Sequence, residues 1–156
     1  MIFTETKLAG AYVIDIEPRG DDRGMFARAF CTSEFEAHGL CADIAQSNIA
    51  VTAQKGTIRG FHRQVDGAEE DKIVRCIKGA IVDVFVDVRP DSETFLQHEK
   101  VELSAETMRM AYVPKGFAHA ILTLTDNVET FYHVTHPYTP DKERGIRWDD
   151  PLLGID

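Results

Sequence analysis

Apolar and polar residues alternate in short runs along most of the chain, which is the pattern of half-buried β-strands. An early run covers residues 11–16, and from residue 44 onward such runs recur at a spacing of roughly ten residues. The later runs cover 49–52, 58–61, 72–77, 81–89, 100–104, 109–114, 119–124 and 129–135. This spacing predicts an antiparallel sandwich or barrel.

Two segments near the N-terminus differ from this pattern. Residues 20–24 read Gly-Asp-Asp-Arg-Gly, a turn signal that precedes a strand predicted over 24–30. Residues 32–38 are the best helix candidate, with Ser33 as the predicted cap and Gly39 at the end. The sequence shows no repeat, low-complexity tract or linker, so we expect one domain over residues 1–156.

Composition narrows the class of partner. Hydrophobic residues make up 44% of the 156, and 17 Lys and Arg against 26 Asp and Glu give a net charge of −9. Such an acidic chain argues against binding to nucleic acid or an anionic membrane, although a few Arg and Lys can still hold a phosphate. The sequence has no membrane span and no signal peptide, and Cys31, Cys41 and Cys76 lack C-x-x-C spacing. We therefore expect a cytoplasmic protein with reduced thiols.

The strand predicted near residue 60 carries unusual side chains. Alternation places His62 on a face with an apolar residue, a glycine and an amide, where a hydrogen-bonded core histidine is the ordinary interpretation. Gly60 also leaves room for something to approach the backbone. Lys72 at a strand start is ordinarily a solvated lysine, and His119 lies at the mouth of an apolar strand. Along the whole strand, this alternation places Arg59, Phe61 and Arg63 on one face and Ile58, Gly60, His62 and Gln64 on the other.

Six histidines raise the question of a metal site. Two histidines at i and i+2 would share a strand face, but the sequence contains no H-x-H motif. His133 and His136 are three apart, so a regular strand would point them to opposite faces. We therefore expect no metal.

Seven motifs occur in a fixed order and cover the chain from about residue 19 to residue 151. With these motifs the sequence resembles the dTDP-4-dehydrorhamnose 3,5-epimerase family, which comprises cupin-type sugar-nucleotide epimerases. The motifs are Asp22-Arg23-Gly24-Met25-Phe26, Gln46-Ser47-Asn48, residues 56–64, Lys72-Ile73-Val74-Arg75, residues 79–89, residues 113–119, and the segment from Tyr132 to Trp148.

The resemblance implies an all-β fold, a cupin-type antiparallel jelly-roll barrel with short helical segments. It also implies a homodimer, no metal or other cofactor, and a nucleoside-diphospho-4-keto-6-deoxysugar as substrate. By matching motif, His62 is expected to be the general base, Tyr132 the acid on the opposite face of the sugar, and Tyr138 a stacking partner of the nucleobase. The other expected substrate contacts are Arg23, Phe26, Gln46, Asn48, Arg59, Lys72, His119 and Glu143.

These residue types suit epimerisation beside a ketone, which inverts C3, C5 or both. The base needs a pKa near the working pH, and an unperturbed histidine has a pKa of about 6.5. Lys72 is expected at the developing oxyanion, and the forked guanidinium of arginine matches a diphosphate. Asp83 is expected to orient either His62 or His119 by accepting an imidazole N–H.

The sequence departs from the family at three places. Arg28 and Arg63 stand where glutamate and an aromatic residue are usual, and the chain ends at Asp156, before a tail that supplies an aspartate and a lysine in the family. We therefore expect His62 to have another partner or none. A ketoisomerase or metal-dependent cupin enzyme, and a non-catalytic sugar-nucleotide-binding cupin, stay open as alternatives. The strand at 11–16 is the expected edge for pairing with a second subunit.

Overall fold

Thirteen strands and one short α-helix form the protein in a computed structural model that describes residues 1–156. The helix, α1, spans Thr32–Ala37, and 3₁₀ turns span Pro140–Lys142 and Pro151–Leu153. No helix has the length and apolar character needed to cross a membrane. The strands are β1 (Ile2–Glu5), β2 (Tyr12–Asp15), β3 (Arg19–Asp21), β4 (Gly24–Phe26), β5 (Gln46–Thr52), β6 (Ile58–Gln64), β7 (Lys72–Lys78), β8 (Ala80–Asp87), β9 (His98–Ser104), β10 (Met110–Val113), β11 (Phe117–Thr123), β12 (Val128–Val134) and β13 (Glu143–Gly145).

Two antiparallel sheets face each other, which confirms the expected jelly roll. One has six strands in the order β1-β2-β10-β7-β12-β5, and the other has five in the order β13-β6-β11-β8-β9. Strands β3 and β4 form a separate hairpin. Many strands that are neighbours in a sheet, such as β7 and β12, come from distant parts of the sequence, so the fold brings residues far apart in the chain to one site.

The main core lies between the sheets, and two smaller clusters cover their outer faces. Strands β7, β10 and β12 contribute to the main core from one sheet, and β8, β9 and β11 from the other. Phe35 of α1 covers the six-stranded sheet, and Leu153 covers the five-stranded sheet. Strand β8 is therefore buried on both faces, with Phe85 in the main core and Val84 and Val86 on the outer side.

Three local predictions need correction. Strand β4 ends at Phe26, so the strand expected over 24–30 is too long. The helix begins where expected, but its N-cap is Cys31 without a side-chain cap, and Ser33 lies inside the first turn. The strand at 11–16 is not an edge, because β1 pairs with its outer side and β10 with its inner side. The edges of that sheet are β1 and β5.

A bulge in β6 changes the predicted faces of that strand. His62 pairs with His119 and Arg59 with Ile121, so β6 has one more residue than β11 between these pairs. An extra residue reverses the alternation, so Arg59 and His62 line the same cavity. Gly60 lies in the bulge with φ of +128°, and a Cβ there would lie 2.5 Å from the carbonyl oxygen of His119. The room beside Gly60 is therefore filled by β11.

Gly60→Ala is expected to lower the free energy of unfolding by about 1–3 kcal/mol more than Gly24→Ala, because only the first inserts a methyl group into packed backbone. The φ of Gly24 is +126°, but a Cβ there would have no atom within 4 Å, so it controls for the backbone cost. Urea denaturation measures both values. Equal losses of unfolding free energy in the two variants would show that β11 moves aside without an energetic cost.

Candidate active site

A cavity of about 700 Å³ opens between the two sheets. Its volume falls within the range of roughly 300–1,000 Å³ that is usual for small-molecule sites. Strands β5, β7 and β12 form one wall, and β6 and β11 form the other. Along each strand, most of the lining residues occupy every second position, because alternate side chains of a strand share a face. These alternating sets are Gln46, Asn48 and Ala50; Lys72 and Val74; His119 and Ile121; and Thr130, Tyr132 and Val134.

His62 and Tyr132 reach the cavity from opposite sheets. His62 is exposed within it, on β6 of the five-stranded sheet, and its imidazole makes no hydrogen bond within the chain. Tyr132 lies on β12 of the six-stranded sheet, and its ring packs against the main core. Burial raises the pKa of Tyr132, and the charges of Glu70 and Glu143 raise it further. The phenol therefore stays protonated, which is the state that a proton donor needs.

Asp83 lies behind His119. The Nε2 atom of His119 is 2.5 Å from Oδ1 of Asp83, although the contact is poorly aligned for a hydrogen bond. Asp83 is fully buried, and an isolated buried carboxylate is costly, so the imidazole provides the countercharge when it is protonated. Of the two orientations that the sequence left open, the structure shows the contact with His119.

Lys72 begins β7 at the cavity wall, but it is not a solvated surface lysine. Its side chain is 14% exposed and forms an ion pair with Glu70. The sequence interpretation missed Glu70, because residues 65–71 have the composition of a polar connecting loop. Nothing in the composition of that segment marks Glu70 as buried, because loops are usually solvated.

The remaining polar lining lies around Tyr138. The Tyr138 hydroxyl donates to Oε2 of Glu143 at 2.7 Å, and its backbone N–H donates to Oε1 of Gln46 at 3.1 Å. The Gln46 amide in turn donates to Oδ1 of Asn48 at 2.7 Å. Arg59 reaches across to β5, where its Nε donates to the Thr52 hydroxyl at 2.9 Å. The exposed Tyr138 ring is thus fixed at the cavity rim.

Arg23 and Phe26, two of the expected substrate contacts, do not line this cavity. They belong to the β3–β4 hairpin, outside both large sheets. The Arg23 side chain is 90% exposed and pairs with Asp21, while Phe26 is 75% exposed. The hairpin does not fold back over the cavity of its own chain.

The cavity lining carries more positive than negative charge, in contrast to the chain as a whole. Among its side chains, three are cationic and two are carboxylates, whereas the whole chain has a net charge of −9. Such a cavity attracts an anionic ligand. No three His, Cys, Asp or Glu side chains come together in a way that could hold a metal ion. The charged lining residues are Arg59, Arg63, Lys72, Glu70 and Glu143.

A model of the dTDP-4-dehydrorhamnose 3,5-epimerase family matches residues 5–156. The chain belongs to this family. It is 39% identical over 155 residues to the dTDP-4-dehydrorhamnose 3,5-epimerase of Sinorhizobium fredii, with 99% of this chain and 80% of that protein covered. The corresponding Escherichia coli enzyme is 42% identical over 147 residues, with coverage of 92% and 79%.

Solved structures of family members have the same fold. The dTDP-4-dehydrorhamnose 3,5-epimerase of Bacillus anthracis, with TDP and PPi bound, aligns with a TM-score of 0.95 and 37% identity over 99% of this chain and 88% of that chain. A Legionella pneumophila 3,5-epimerase in complex with dTDP-4-keto-L-rhamnose aligns with a TM-score of 0.93 and 35% identity, covering 99% and 82%. The comparisons thus support the epimerase resemblance over the whole fold.

A double-mutant cycle tests whether Asp83 and His119 act as a pair. Asp83→Asn and His119→Asn are each expected to destabilise the protein, and the double variant should lose less than the sum by about 0.5–3 kcal/mol. Each single change leaves the other buried group without its partner, and the double change does not. Urea denaturation supplies the free energies.

Asp87 provides the matched control for this cycle. It lies on the same strand, is equally buried, and bonds to Arg89, Ser92 and Thr94 instead of a histidine. The losses of unfolding free energy caused by Asp87→Asn and His119→Asn should therefore be additive. Additivity in the Asp83 cycle as well would show that the close contact carries no energy.

Proposed function

We propose that this protein is an epimerase that inverts a dTDP-4-keto-6-deoxysugar at C3, C5 or both by moving protons on the carbons beside the ketone. One observation carries the proposal: His62 and Tyr132 line the same cavity from facing sheets. Inversion requires removal of a proton from one face of the ring and delivery to the other. Two proton-transfer groups on opposite walls meet that requirement.

The first step assigns His62 the role of base. Its imidazole takes the proton from the carbon beside the ketone, and the C–H electron pair becomes the enolate, whose negative charge lies on the ketone oxygen. Lys72 is the cation that would stabilise that oxygen. His119, paired with Asp83, is a further donor on the wall that carries His62.

The second step assigns Tyr132 the role of acid. Its phenol donates a proton to the opposite face of the carbon, the ketone re-forms, and the inverted sugar results. The phenolate regains its proton from solvent, and His62 releases its proton to solvent, so the enzyme returns to its initial state. The raised pKa of Tyr132 supports this assignment, because the phenol is protonated at neutral pH.

Arg59 and Tyr138 are proposed to hold the nucleotide. The Arg59 guanidinium bonds to neutral oxygens of β5, with no carboxylate partner, so its charge remains available for the diphosphate. The exposed ring of Tyr138 offers a face for the nucleobase, fixed by Glu143 and Gln46. Asn48 continues the polar lining between these residues and the sugar.

We further propose a homodimer in which the hairpin of one subunit contributes Arg23 and Phe26 to the cavity of the other. The hairpin is exposed and lies outside its own cavity, so these two residues can contact substrate only from a second copy. An exposed aromatic ring beside a guanidinium suits a nucleotide.

We also propose a cytoplasmic location, which the three unpaired cysteines support.

Solvent exchange tests the reaction. In D₂O with dTDP-4-keto-6-deoxyglucose, the protein should introduce deuterium at C3, at C5 or at both, as read by NMR. His62→Ala should slow exchange by about 10²–10⁴-fold, the usual contribution of a general base. Tyr132→Phe should still label the carbon but return unchanged configuration, because only the acid on the far face is lost.

His98→Ala is the control for these variants, since His98 lies outside the cavity. It should exchange as the unmodified protein does. Exchange in His62→Ala at the unmodified rate would exclude His62 as the base. Lack of exchange with every 4-keto nucleotide sugar tried would favour a binding protein over an enzyme.

Subunit mixing tests the shared site. His62→Ala and Arg23→Ala proteins should each have low activity, whereas a mixture that is unfolded and refolded together should recover part of it. Each mixed dimer then has one cavity with an intact base and an intact hairpin from its partner. If mixing recovers nothing although both proteins are dimers, Arg23 does not serve the partner's cavity.

A further inference from the structure

Glu70 is a mostly buried carboxylate at the wall of the cavity, with a side-chain exposure of 8%. One of its oxygens contacts Nζ of Lys72, and the other accepts a hydrogen bond from Nε2 of Gln64 at 3.0 Å. Lys72 precedes Val74, the residue opposite Tyr132, on the same inward face of β7. The carboxylate thus fixes the cation that the proposed reaction places at the ketone oxygen.

Gln64 extends this contact toward the nucleotide end of the cavity. Its Nε2 also donates to the carbonyl oxygen of Ala68 at 3.0 Å and to that of Pro137 at 3.3 Å. Its Oε1 accepts from the backbone N–H of Thr139 at 2.6 Å. Pro137 and Thr139 flank Tyr138 in the sequence. Glu70 therefore connects Lys72, through Gln64, to the segment carrying Tyr138.

The ion pair constrains geometry more than it stabilises the fold. Lys72 and Glu70 are both largely removed from water, so much of their mutual attraction offsets lost hydration. A lysine side chain has many rotamers, and an ammonium on a flexible stem needs a fixed partner to hold one position. The carboxylate supplies that partner without occupying the cavity centre.

We propose that Glu70 is a positioning residue for the epimerisation, holding the Lys72 ammonium where the enolate oxygen forms. This inference rests on the proposed function of the cavity. Glu70 does not contact the reacting carbons; it acts through Lys72 and, by its charge, on Tyr132. It also balances one of the cavity's three cations, so the lining attracts a diphosphate without leaving Lys72 uncompensated in the empty site.

The effect of Glu70 on Tyr132 has a defined sign. The charges of Glu70 and Glu143 raise the pKa of the phenol and that of Arg59 lowers it, with burial as the largest cause of the net rise. Loss of the Glu70 charge should therefore shift the ionisation of Tyr132 to lower pH. The titratable and charged side chains around Tyr132 in the cavity are Arg59, His62 and Arg63 of β6, Glu70 and Lys72 at β7, His119 of β11, Tyr138, and Glu143 of β13.

Glu70→Gln tests the proposal, with Glu69→Gln as the matched control. Glu69 is the neighbouring glutamate, is exposed, and accepts only from the backbone of Gly67. Glu70→Gln should lower kcat by about tenfold to a hundredfold with little change in KM. A displaced Lys72 ammonium stabilises the transition state less well but changes the binding of the substrate little. The alkaline limb of its kcat profile should move to lower pH. Glu69→Gln should match the unmodified protein in both.

A spectroscopic readout follows Tyr132 independently of turnover. Phenolate absorbance is titrated with pH in the unmodified protein and in Glu70→Gln, and the curve of the corresponding Tyr132→Phe protein is subtracted from each. The difference curve for Tyr132 should shift to lower pH in Glu70→Gln. A purely structural role for Glu70 would lower stability and leave this curve in place.

Glu70→Asp separates position from charge and provides a second variant if Glu70→Gln does not fold. It keeps the negative charge near Tyr132 but withdraws the oxygens from Lys72 by one methylene. We expect a lower kcat with a Tyr132 titration close to that of the unmodified protein. If the unmodified protein exchanges deuterium and both Glu70 variants retain its kcat, the positioning role is wrong and the proposed function stands. If the unmodified protein exchanges no deuterium, both the positioning role and the proposed function are wrong.

Discussion

The two facing sheets impose one constraint on which the rest of the structure depends: every second residue of each strand must point into the space between them. Over part of that space the inward residues are apolar and pack into the main core. Elsewhere the same strands present polar residues, and the space stays open as the cavity. Val74 and Ile121 belong to both regions, so the rigid core directly supports the site. Tyr132 illustrates the benefit, because its ring is held by the core while its hydroxyl faces the cavity.

Largely buried carboxylates contact basic side chains on both walls of the site. Asp83 lies fully buried behind His119 in one sheet, and Glu70 lies beside Lys72 in the other. In each pair the carboxylate is the less exposed partner, so the cationic or ionisable group is the one presented to a ligand. Because low local dielectric strengthens charge interactions, such pairs limit the positions that the presented groups can take. His62 differs, since no carboxylate of the chain contacts its ring.

The positions of several strands and much of the cavity lining could be predicted from the sequence, for different reasons. Alternation of apolar and polar residues located β7, β8, β10 and β12 to within two residues, because burial of one face determines that pattern. Family motifs indicated Gln46, Lys72 and Glu143, all of which line the cavity. Alternation failed at β6, where the bulge at Gly60 is a tertiary feature set by the approach of β11. It also predicted no strand at β1, an edge strand whose residues are mostly exposed, so that burial imposes no pattern on them.

Two cases show where a single chain limits the inference. Arg23 and Phe26 share a motif with the family, but a motif does not specify which copy of the chain supplies it. Glu70 was missed for the opposite reason: it lies in no motif, and its importance arises from two contacts, with Lys72 and with Gln64, that only the folded loop creates. A charged residue within a polar loop gives no sequence signal for burial, since loops are usually solvated. The geometry of the site, more than its residue types, therefore indicates how the Lys72 ammonium is held at the cavity wall.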